Sequence, residues 1–381
     1  MKTEALFAVL IRGNLIAKTG RPWTVTYEAA GSGSPDSALL IKINDENEAA
    51  GKIASGFKDF NGAEAKQKIV LDFAGKKYVY HAEEACCEAC NCHDNSCCAP
   101  VSGMSGSLAV LNRIALVTGG AQGFGEEIVR GLVNAGTIVF IADLNLSGAE
   151  KLAESLNKKQ GRAAAYGVEV NVADEASVEK LAETIALKAG GLDLCVSNAG
   201  VLRASPILEQ DITSFRFVTD INYTAFAIIT KHCGLLMKIQ NQCAPYWITD
   251  IIQINSKSGL EGSNKNGSYA GSKFGSIGLV QSFAKELVDY RIKVNAVCPG
   301  NFFDGPLWAD PEKGLFVQYL KTGKVPGAKT IEDVKAFYEA KVPMGRGCTG
   351  PDVLKAVLYL VDQVYETGQA LPVTGGQVML S

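Results

Sequence analysis

The sequence predicts an α/β protein: a doubly wound parallel sheet in its larger part, preceded by a small α+β domain that ends in a cysteine-rich linker. Three observations predict it. Beyond residue 107, short β-branched runs alternate with helix-length segments; the first of these runs opens directly into a glycine-rich turn; and the apolar pattern lapses between Ser102 and Ser107, just after a cluster of cysteines. Alternation of this kind implies parallel strands joined by right-handed crossovers. The lapse sets a boundary near residue 105, dividing the chain into domains 1–105 and 106–381.

In the first domain, Trp23 to Tyr27 alternates like a strand, and Ile69 to Phe73 and Tyr78 to Tyr80 read as two strands joined by a turn at Ala74-Gly75-Lys76. The longest early apolar run, Ala5 to Ile11, lies between Glu4 and Arg12. It is too short to span a bilayer or to form a signal h-region, so a cytoplasmic chain with no membrane partner is expected. In the second domain, strands are expected at Ile114 to Val117, Ile138 to Ala142, Leu192 to Val196, Ile251 to Ile254 and Lys293 to Val297. They are nearly all apolar, as in a sheet covered by helices on both faces.

With 381 residues, 47% apolar and 20% charged, the chain is long enough for a sizeable core and has an ordinary globular composition. Its net charge of -3 argues against a general nucleic-acid binder, which needs a basic face to displace phosphate counterions. Small molecules are the expected partners.

The strand Ile114 to Val117 leads into Thr118-Gly119-Gly120-Ala121-Gln122-Gly123-Phe124-Gly125, after which Ile128, Val129, Leu132 and Val133 recur at helical spacing. Glycines let the backbone turn tightly and approach a pyrophosphate, whose charge is favoured by free amides and the positive end of the helix dipole. Asp143 ends the second strand about twenty residues further on, where a carboxylate accepts hydrogen bonds from an adenosine ribose. This is the pattern of a Rossmann-type dinucleotide site. No lysine or arginine stands at Ala121, Gln122, Leu144 or Asn145 to compensate a ribose 2′-phosphate, so NAD is expected rather than NADP. The competing reading of Asp143 is a cap on the next helix. Asn198-Ala199-Gly200 forms a further small-residue turn after the strand ending at Val196, beside the expected cofactor.

Oxidising an alcohol by hydride loss requires a base for the hydroxyl proton and a donor to the developing oxyanion. Tyr269 and Lys273 lie four residues apart, on one face of a helix, and a neighbouring ammonium favours the phenolate. Ser256, at the end of Ile251-Ile252-Gln253-Ile254-Asn255, is expected to hold the substrate oxygen at the carboxyl edge of the sheet, where ligands of such sheets bind.

Together these motifs make residues from about 108 to 381 resemble the short-chain dehydrogenase/reductase family. The resemblance rests on Thr118-Gly119, Gly123, Gly125, Asp143, Asn198-Ala199-Gly200, Asn222, Ser256, Tyr269, Lys273 and Pro299-Gly300. It implies that Ser256 orients the oxygen, Tyr269 is the general acid/base, Lys273 lowers the tyrosine pKa and binds the nicotinamide ribose, and Asn222 supports a water-linked proton relay. It also implies cofactor contacts at Gln122, Phe124 and Pro299-Gly300, and a homotetramer. Longer strings, among them Ile252 to Gly259 and Thr374 to Met379, are similar to family members that act on polyol phosphates. Lys257, Lys265, Arg203 and Lys321 are then the candidate partners of the phosphate. Asn171-Val172 replaces the family's Asp-Val near the adenine, and Asp304 stands where many members carry a threonine. Gln240 to Tyr246 reads as a surface insertion, and Phe302 to Gly327 as a mobile lid or a variable helical excursion.

Six of the eleven cysteines fall between Cys86 and Cys98. With His93, the set Cys86, Cys87, Cys90, Cys92, Cys97 and Cys98 offers ligands for a zinc ion or an iron-sulfur cluster. Redox-active thiols and an unstructured linker are the alternatives, and His81 is a further candidate ligand. Two other readings compete with a polyol phosphate dehydrogenase: the same chemistry on a non-phosphorylated polyol or other secondary alcohol, and a metal- or redox-responsive protein that only senses NAD.

Overall fold

The computed structural model describes residues 1–28, 39–58, 60, 66–84, 108–312, 314–321, 323 and 325–379. The chain opens with α1 (Thr3–Thr19), β1 (Trp23–Glu28), β2 (Leu39–Ile43), α2 (Ala49–Gly56), β3 (Lys66–Phe73) and β4 (Lys76–Glu84). These strands pair in the order β1-β4-β3-β2, antiparallel except for β2 with β3. The expected hairpin is present: Ala74 at φ 49° and Gly75 at φ 83° turn the chain between β3 and β4. The cysteine cluster Cys86 to Cys98, with His93, lies outside the described residues, and so does the boundary near residue 105. Among the described residues no group of three or more His, Cys, Asp or Glu side chains could hold a metal, and no helix is long and apolar enough to cross a membrane.

The larger part runs β5 (Ile114–Thr118), α3 (Gly123–Asn134), β6 (Ile138–Asp143), α4 (Leu146–Gln160), β7 (Ala165–Glu169), α5 (Glu175–Ala189), β8 (Leu194–Ser197), α6 (Ile212–Thr219), α7 (Ala225–Cys243), β9 (Thr249–Ile254), α8 (Gly267–Leu287) and β10 (Ile292–Pro299). It ends with α9 (Pro306–Ala309), α10 (Leu315–Lys321), α11 (Ile331–Glu339), α12 (Gly350–Asp362) and β11 (Ala370–Val373). The seven strands form one parallel sheet in the order β11-β10-β9-β8-β5-β6-β7, a Rossmann-like fold. Apolar stripes of α3, α4 and α12 cover one face, through Ile128, Leu132, Leu152, Leu156, Val353 and Val357. Those of α5, α7 and α8 cover the other, through Leu181, Ile185, Phe226, Ile229, Met237 and Val280. The strand order reverses between β5 and β8, which opens a crevice at their carboxyl ends.

The run Ala5 to Ile11 turns out to be the middle of α1, which is buried from Phe7 to Ile16 without interruption. A helix buried all round needs apolar partners on both sides. Phe7, Ile11 and Leu15 pack on the small sheet, while Ala5 and Val9 meet Ala182 and Ala186 of α5 and Leu236 of α7. Gly13 faces α7 so closely that an added Cβ would stand 2.7 Å from that of Cys243.

One charged pair crosses this junction. Arg12 Nη2 donates to Asp193 Oδ2 at 2.7 Å and Nη1 to Oδ1 at 3.2 Å, both side chains wholly buried. Arg12 Nε donates to the Trp23 carbonyl at 2.6 Å, and Nη1 to Gln240 Oε1. Asp193 also accepts from the Ile114 amide at 2.9 Å, Trp247 Nε1 at 2.8 Å and Gln240 Nε2 at 3.1 Å. Burial alone pushes this carboxyl up, but the Arg12 guanidinium, the Arg113 charge and the Ile114 amide hold it below the ordinary carboxylate value.

This network corrects the expected surface insertion at Gln240 to Tyr246. Gln240, Asn241 and Ala244 are buried, and the Tyr246 hydroxyl donates to the Ile16 carbonyl. The segment is the end of α7 together with the seat on which α1 docks; a buried ion pair recruits Gln240 because every donor and acceptor around it must be satisfied.

Breaking a buried pair strands the surviving charge. Arg12→Met is therefore expected to lower the denaturation free energy by about 3–5 kcal/mol. Denaturant titration of Arg12→Met, Asp193→Asn and the double variant checks this, with the double variant losing less than the sum of the singles.

Candidate active site

The glycine turn sits at the carboxyl end of β5. Gly119 and Gly123 have φ of 61° and 59°, a left-handed backbone that a side chain disfavours. A Cβ on Gly119 would stand 2.9 Å from the Ala199 Cα, and one on Gly125 would collide with the Gly119 carbonyl oxygen. The turn is a bare cradle at the N-terminus of α3, which no side chain of its own can fill. That suits the residues present to a dinucleotide pyrophosphate.

Several expected cofactor residues build the cradle. Thr118 is buried, and its Oγ1 accepts from the Asn198 and Ala199 amides at 3.0 and 3.2 Å. Asn198 Nδ2 donates to the Thr118 and Gly119 carbonyls, both at 3.0 Å. Asp143 Oδ2 accepts from the Ala121 amide at 3.0 Å and Oδ1 from the Asn145 amide at 2.9 Å. Asp143 therefore braces the turn from β6; the cap of α4 is Asn145, which accepts from the Gly148 amide. Asn171 and Val172 follow β7 and adjoin Asp143, whose carbonyl accepts from the Val170 amide at 3.0 Å. Asn171 is exposed and accepts from the Ala173 amide, whereas Val172 is buried in the core. Gln122 is the exposed residue before α3.

On the other side of the crevice, β9 leads directly into Asn255 and Ser256. Ser256 Oγ accepts from the Ser258 amide at 3.1 Å and lies near enough to the Tyr269 hydroxyl to favour its ionised form. Tyr269 and Lys273 project from α8 as the spacing predicts. Lys273 Nζ donates to the Ile254 carbonyl at 3.0 Å and lies 5.7 Å from the Tyr269 ring centre. Burial pushes Lys273 down to about 8, against a smaller opposing effect of Cys298. Crowding around the partly accessible Tyr269 raises its pKa; the Ser256 hydrogen bond opposes this and Cys298 adds to it. In this cofactor-free state desolvation is the dominant influence on Tyr269, while the Lys273 ammonium is engaged by the Ile254 carbonyl.

Asn222 lies in a π-helical turn, Asp220–Thr224, between α6 and α7. Its Oδ1 accepts from the Val201 amide at 2.8 Å, and its Nδ2 donates to the Val201 carbonyl at 2.9 Å and to Ser272 Oγ at 3.2 Å. A Cβ on Gly200 would be 3.3 Å from Asn222 Oδ1 and 3.7 Å from Lys273 Nζ. The fold thus converges Gly200, Asn222, Ser256, Tyr269 and Lys273.

Two neighbours are not read from the sequence as part of the site, where Cys298 is one of five scattered packing cysteines. Asn255, 4% exposed, accepts from the Ser256 amide at 2.8 Å and donates to the Lys273 carbonyl at 3.0 Å. A polar residue directly after β9 and before Ser256 was the available signal. Cys298, on β10, is a buried thiol pushed up to about 12 by burial, an inert wall of the site.

Pro299 ends β10, and the Gly300 amide donates to the Val373 carbonyl at 2.9 Å. The next segment is a helical excursion, not a bare loop. Phe303, Trp308, Phe316, Val334 and Val342 give α9 to α11 a core of their own, with Phe303 edge-on to Trp308 at 4.9 Å. Asp304 pairs with Lys335 at 2.7 Å. Phe302 stacks on Phe124 of the glycine turn, ring centres 4.3 Å apart, so this lobe reaches across the cofactor crevice.

The pattern of the short chain dehydrogenase family matches residues 113–309. Sorbitol-6-phosphate 2-dehydrogenase of Escherichia coli (strain K12) is 34% identical over 275 residues, covering 71% of this chain and all of that protein. A 3-oxoacyl-[acyl-carrier-protein] reductase of Aquifex aeolicus (strain VF5) is 30% identical over 266 residues, 69% of this chain and 96% of the relative. Among solved structures, that of sorbitol-6-phosphate 2-dehydrogenase from Erwinia amylovora is similar with a TM-score of 0.64 and 39% identity, covering 70% of this chain and 100% of the other.

The Lys273 ammonium is expected to titrate near 8 in the cofactor-free protein, against 10.5 for a free lysine. The unfolded chain then holds this proton more tightly, so the group adds stability as pH rises from about 8 toward 10.5. The lysine 13Cε resonance assigned through Lys273→Met checks it; a midpoint near the free value refutes the burial argument.

Proposed function

The chain belongs to the short-chain dehydrogenase family, an oxidoreductase family acting on CH–OH groups with nicotinamide dinucleotides, and on that premise we propose that it oxidises sorbitol 6-phosphate to fructose 6-phosphate with NAD. The observation that carries this reading is the intact convergence of Ser256, Tyr269, Lys273 and Asn222 beside a bare glycine cradle. NAD supports the reading over NADP because Asp143 presents a carboxylate at the end of β6 and the exposed Leu144 follows it with no cation. Likeness to two sorbitol-6-phosphate 2-dehydrogenases supports the substrate.

Bound NAD would supply the acceptor for the hydrogen and electron pair leaving the carbinol carbon. The chain's own residues handle the proton and the oxygen. Ser256 donates its hydroxyl hydrogen to the substrate oxygen and so fixes the carbinol against Tyr269. The Tyr269 phenolate takes the hydroxyl proton as the carbonyl forms. Lys273, charged below about 8, stabilises that phenolate through its field, and Asn222 holds the Val201 loop and Ser272 beside it, where a water-linked proton relay would run. The lobe carrying Phe302, stacked on Phe124 of the glycine turn, would shield the bound cofactor from water.

NADH formation measured by absorbance tests the reading with sorbitol 6-phosphate, free sorbitol and mannitol 1-phosphate, each under NAD and NADP. Selective NAD turnover of sorbitol 6-phosphate is expected, with Tyr269→Phe reduced at least about 100-fold, the scale of general acid–base catalysis. Equal turnover of free sorbitol would favour the non-phosphorylated substrate class, and silence on all three would remove polyols from the reading.

A further inference from the structure

A six-carbon polyol phosphate oxidised at its second carbon carries its phosphate at the far end of the chain. A dianion there needs a cation that is close to Ser256 yet not already neutralised. Four cations were candidates. Arg203 is exposed, its guanidinium laid over the Phe217 ring at 4.1 Å. Lys265 and Lys321 are exposed.

Lys257 differs in each respect that matters. It directly follows Ser256, so its Cα lies about 3.8 Å from that of the residue gripping the carbinol oxygen. It opens the short helical turn Lys257–Gly259 that Ser256 caps, which fixes its backbone relative to the serine. It is half-buried, and among the described residues its ammonium has neither an ion pair within 4 Å nor a hydrogen bond. Burial lowers its pKa; Glu261 opposes this with its charge, and Lys341 adds to it. Lys341 comes from the base of the lobe, one residue before the buried Val342, with its ammonium over the Phe337 and Tyr338 rings at 4.1 and 5.0 Å. The serine turn and the base of the lobe thus each contribute an ammonium, near enough for the Lys341 charge to act on Lys257, and an anion bound to Lys257 would give it the ion pair that Glu261 does not make.

We propose that Lys257, seconded by Lys341, is the phosphate-recognising residue of the substrate site and sets its preference for phosphorylated over free polyols. The proposal rests on the sorbitol 6-phosphate reading. It adds which side chain makes the distinction, and it places the phosphate under the lobe rather than at the exposed cations.

Steady-state kinetics and calorimetric titration with sorbitol 6-phosphate and free sorbitol test it on the full chain, wild type beside Lys257→Met and Lys257→Arg. Replacing one charged hydrogen bond is expected to lower kcat/KM for sorbitol 6-phosphate on the order of 10- to 100-fold, chiefly through KM. The ratio of kcat/KM values for the two substrates should collapse with it, affinity for sorbitol 6-phosphate should fall in parallel, and arginine should recover part of both. A wild type that prefers sorbitol 6-phosphate while Lys257→Met keeps the full preference would overturn the assignment and leave the substrate reading intact. A wild type with no preference would overturn the substrate reading itself, and the assignment with it. Should the methionine variant misfold, Lys257→Gln takes its place: a reduced preference for sorbitol 6-phosphate supports the assignment, and an unchanged preference or an equal loss on both substrates contradicts it.

Discussion

The catalytic arrangement depends on one side-chain amide. Asn255 closes β9 with its Oδ1 taking the Ser256 amide and its Nδ2 held by the Lys273 carbonyl and Gln253 Oε1. The strand edge that carries the serine is thereby tied to the helix that carries the tyrosine and lysine. Gly259 must be bare for this to happen, because a Cβ there would strike Asn255 Oδ1 and stand 3.0 Å from the Lys273 carbonyl. Lys273 returns the tie from the other side by donating to the Ile254 carbonyl. With both segments fixed, Ser256 and Tyr269 meet without any cost of ordering at the moment of reaction, which is how preorganised sites lower a barrier.

The opposite edge of the sheet is held in a different way. There Asp193 gathers Arg12 from α1, Gln240 and Trp247 from the end of α7 and beyond it, and the first amide of β5. The small sheet is consequently no loosely tethered module: α1 lies between it and the α5/α7 face, apolar on both sides and pinned by a charge that cannot reach water. One end of the parallel sheet is a sealed knot, while the carboxyl end is left open for cofactor and substrate. That division lets the functional end stay polar and partly accessible, because cohesion is supplied elsewhere.

Much of this was legible in the chain. Apolar runs between turn residues announced β5, β6, β8, β9 and β10, and order along the sequence marked Ser256, Tyr269 and Lys273. β7 and β11 were not legible: Gly167 in Ala165–Glu169 and Pro372 in Ala370–Val373 dilute their strand character, and both lie at the edges of the sheet, where pairing on one side suffices. α1 was illegible for the opposite reason. Its apolar residues follow no stripe, since both faces are covered by parts of the chain far away in sequence. The same distance explains the misreading of Gln240 to Tyr246, a polar stretch whose burial depends on a helix more than 200 residues earlier. Thr118 and Asn198, read from the sequence as cofactor residues, also bond each other and the glycine turn, a tie that only the paired strands β5 and β8 reveal. The partners of Asn255 could be seen only once β9 and α8 stood side by side.

The central claim is that this site moves hydrogen from the second carbon of a polyol phosphate to a nicotinamide while Tyr269 takes the proton. The most direct measurement follows that hydrogen. Sorbitol 6-phosphate carrying deuterium at C2 is incubated with the protein and NAD, and the nicotinamide product is examined by proton NMR and mass spectrometry. The account predicts deuterium at C4 of the reduced nicotinamide and none from Tyr269→Phe beyond its residual turnover. Reduced nicotinamide without deuterium, or label that stays on the sugar phosphate while NADH accumulates, would contradict it.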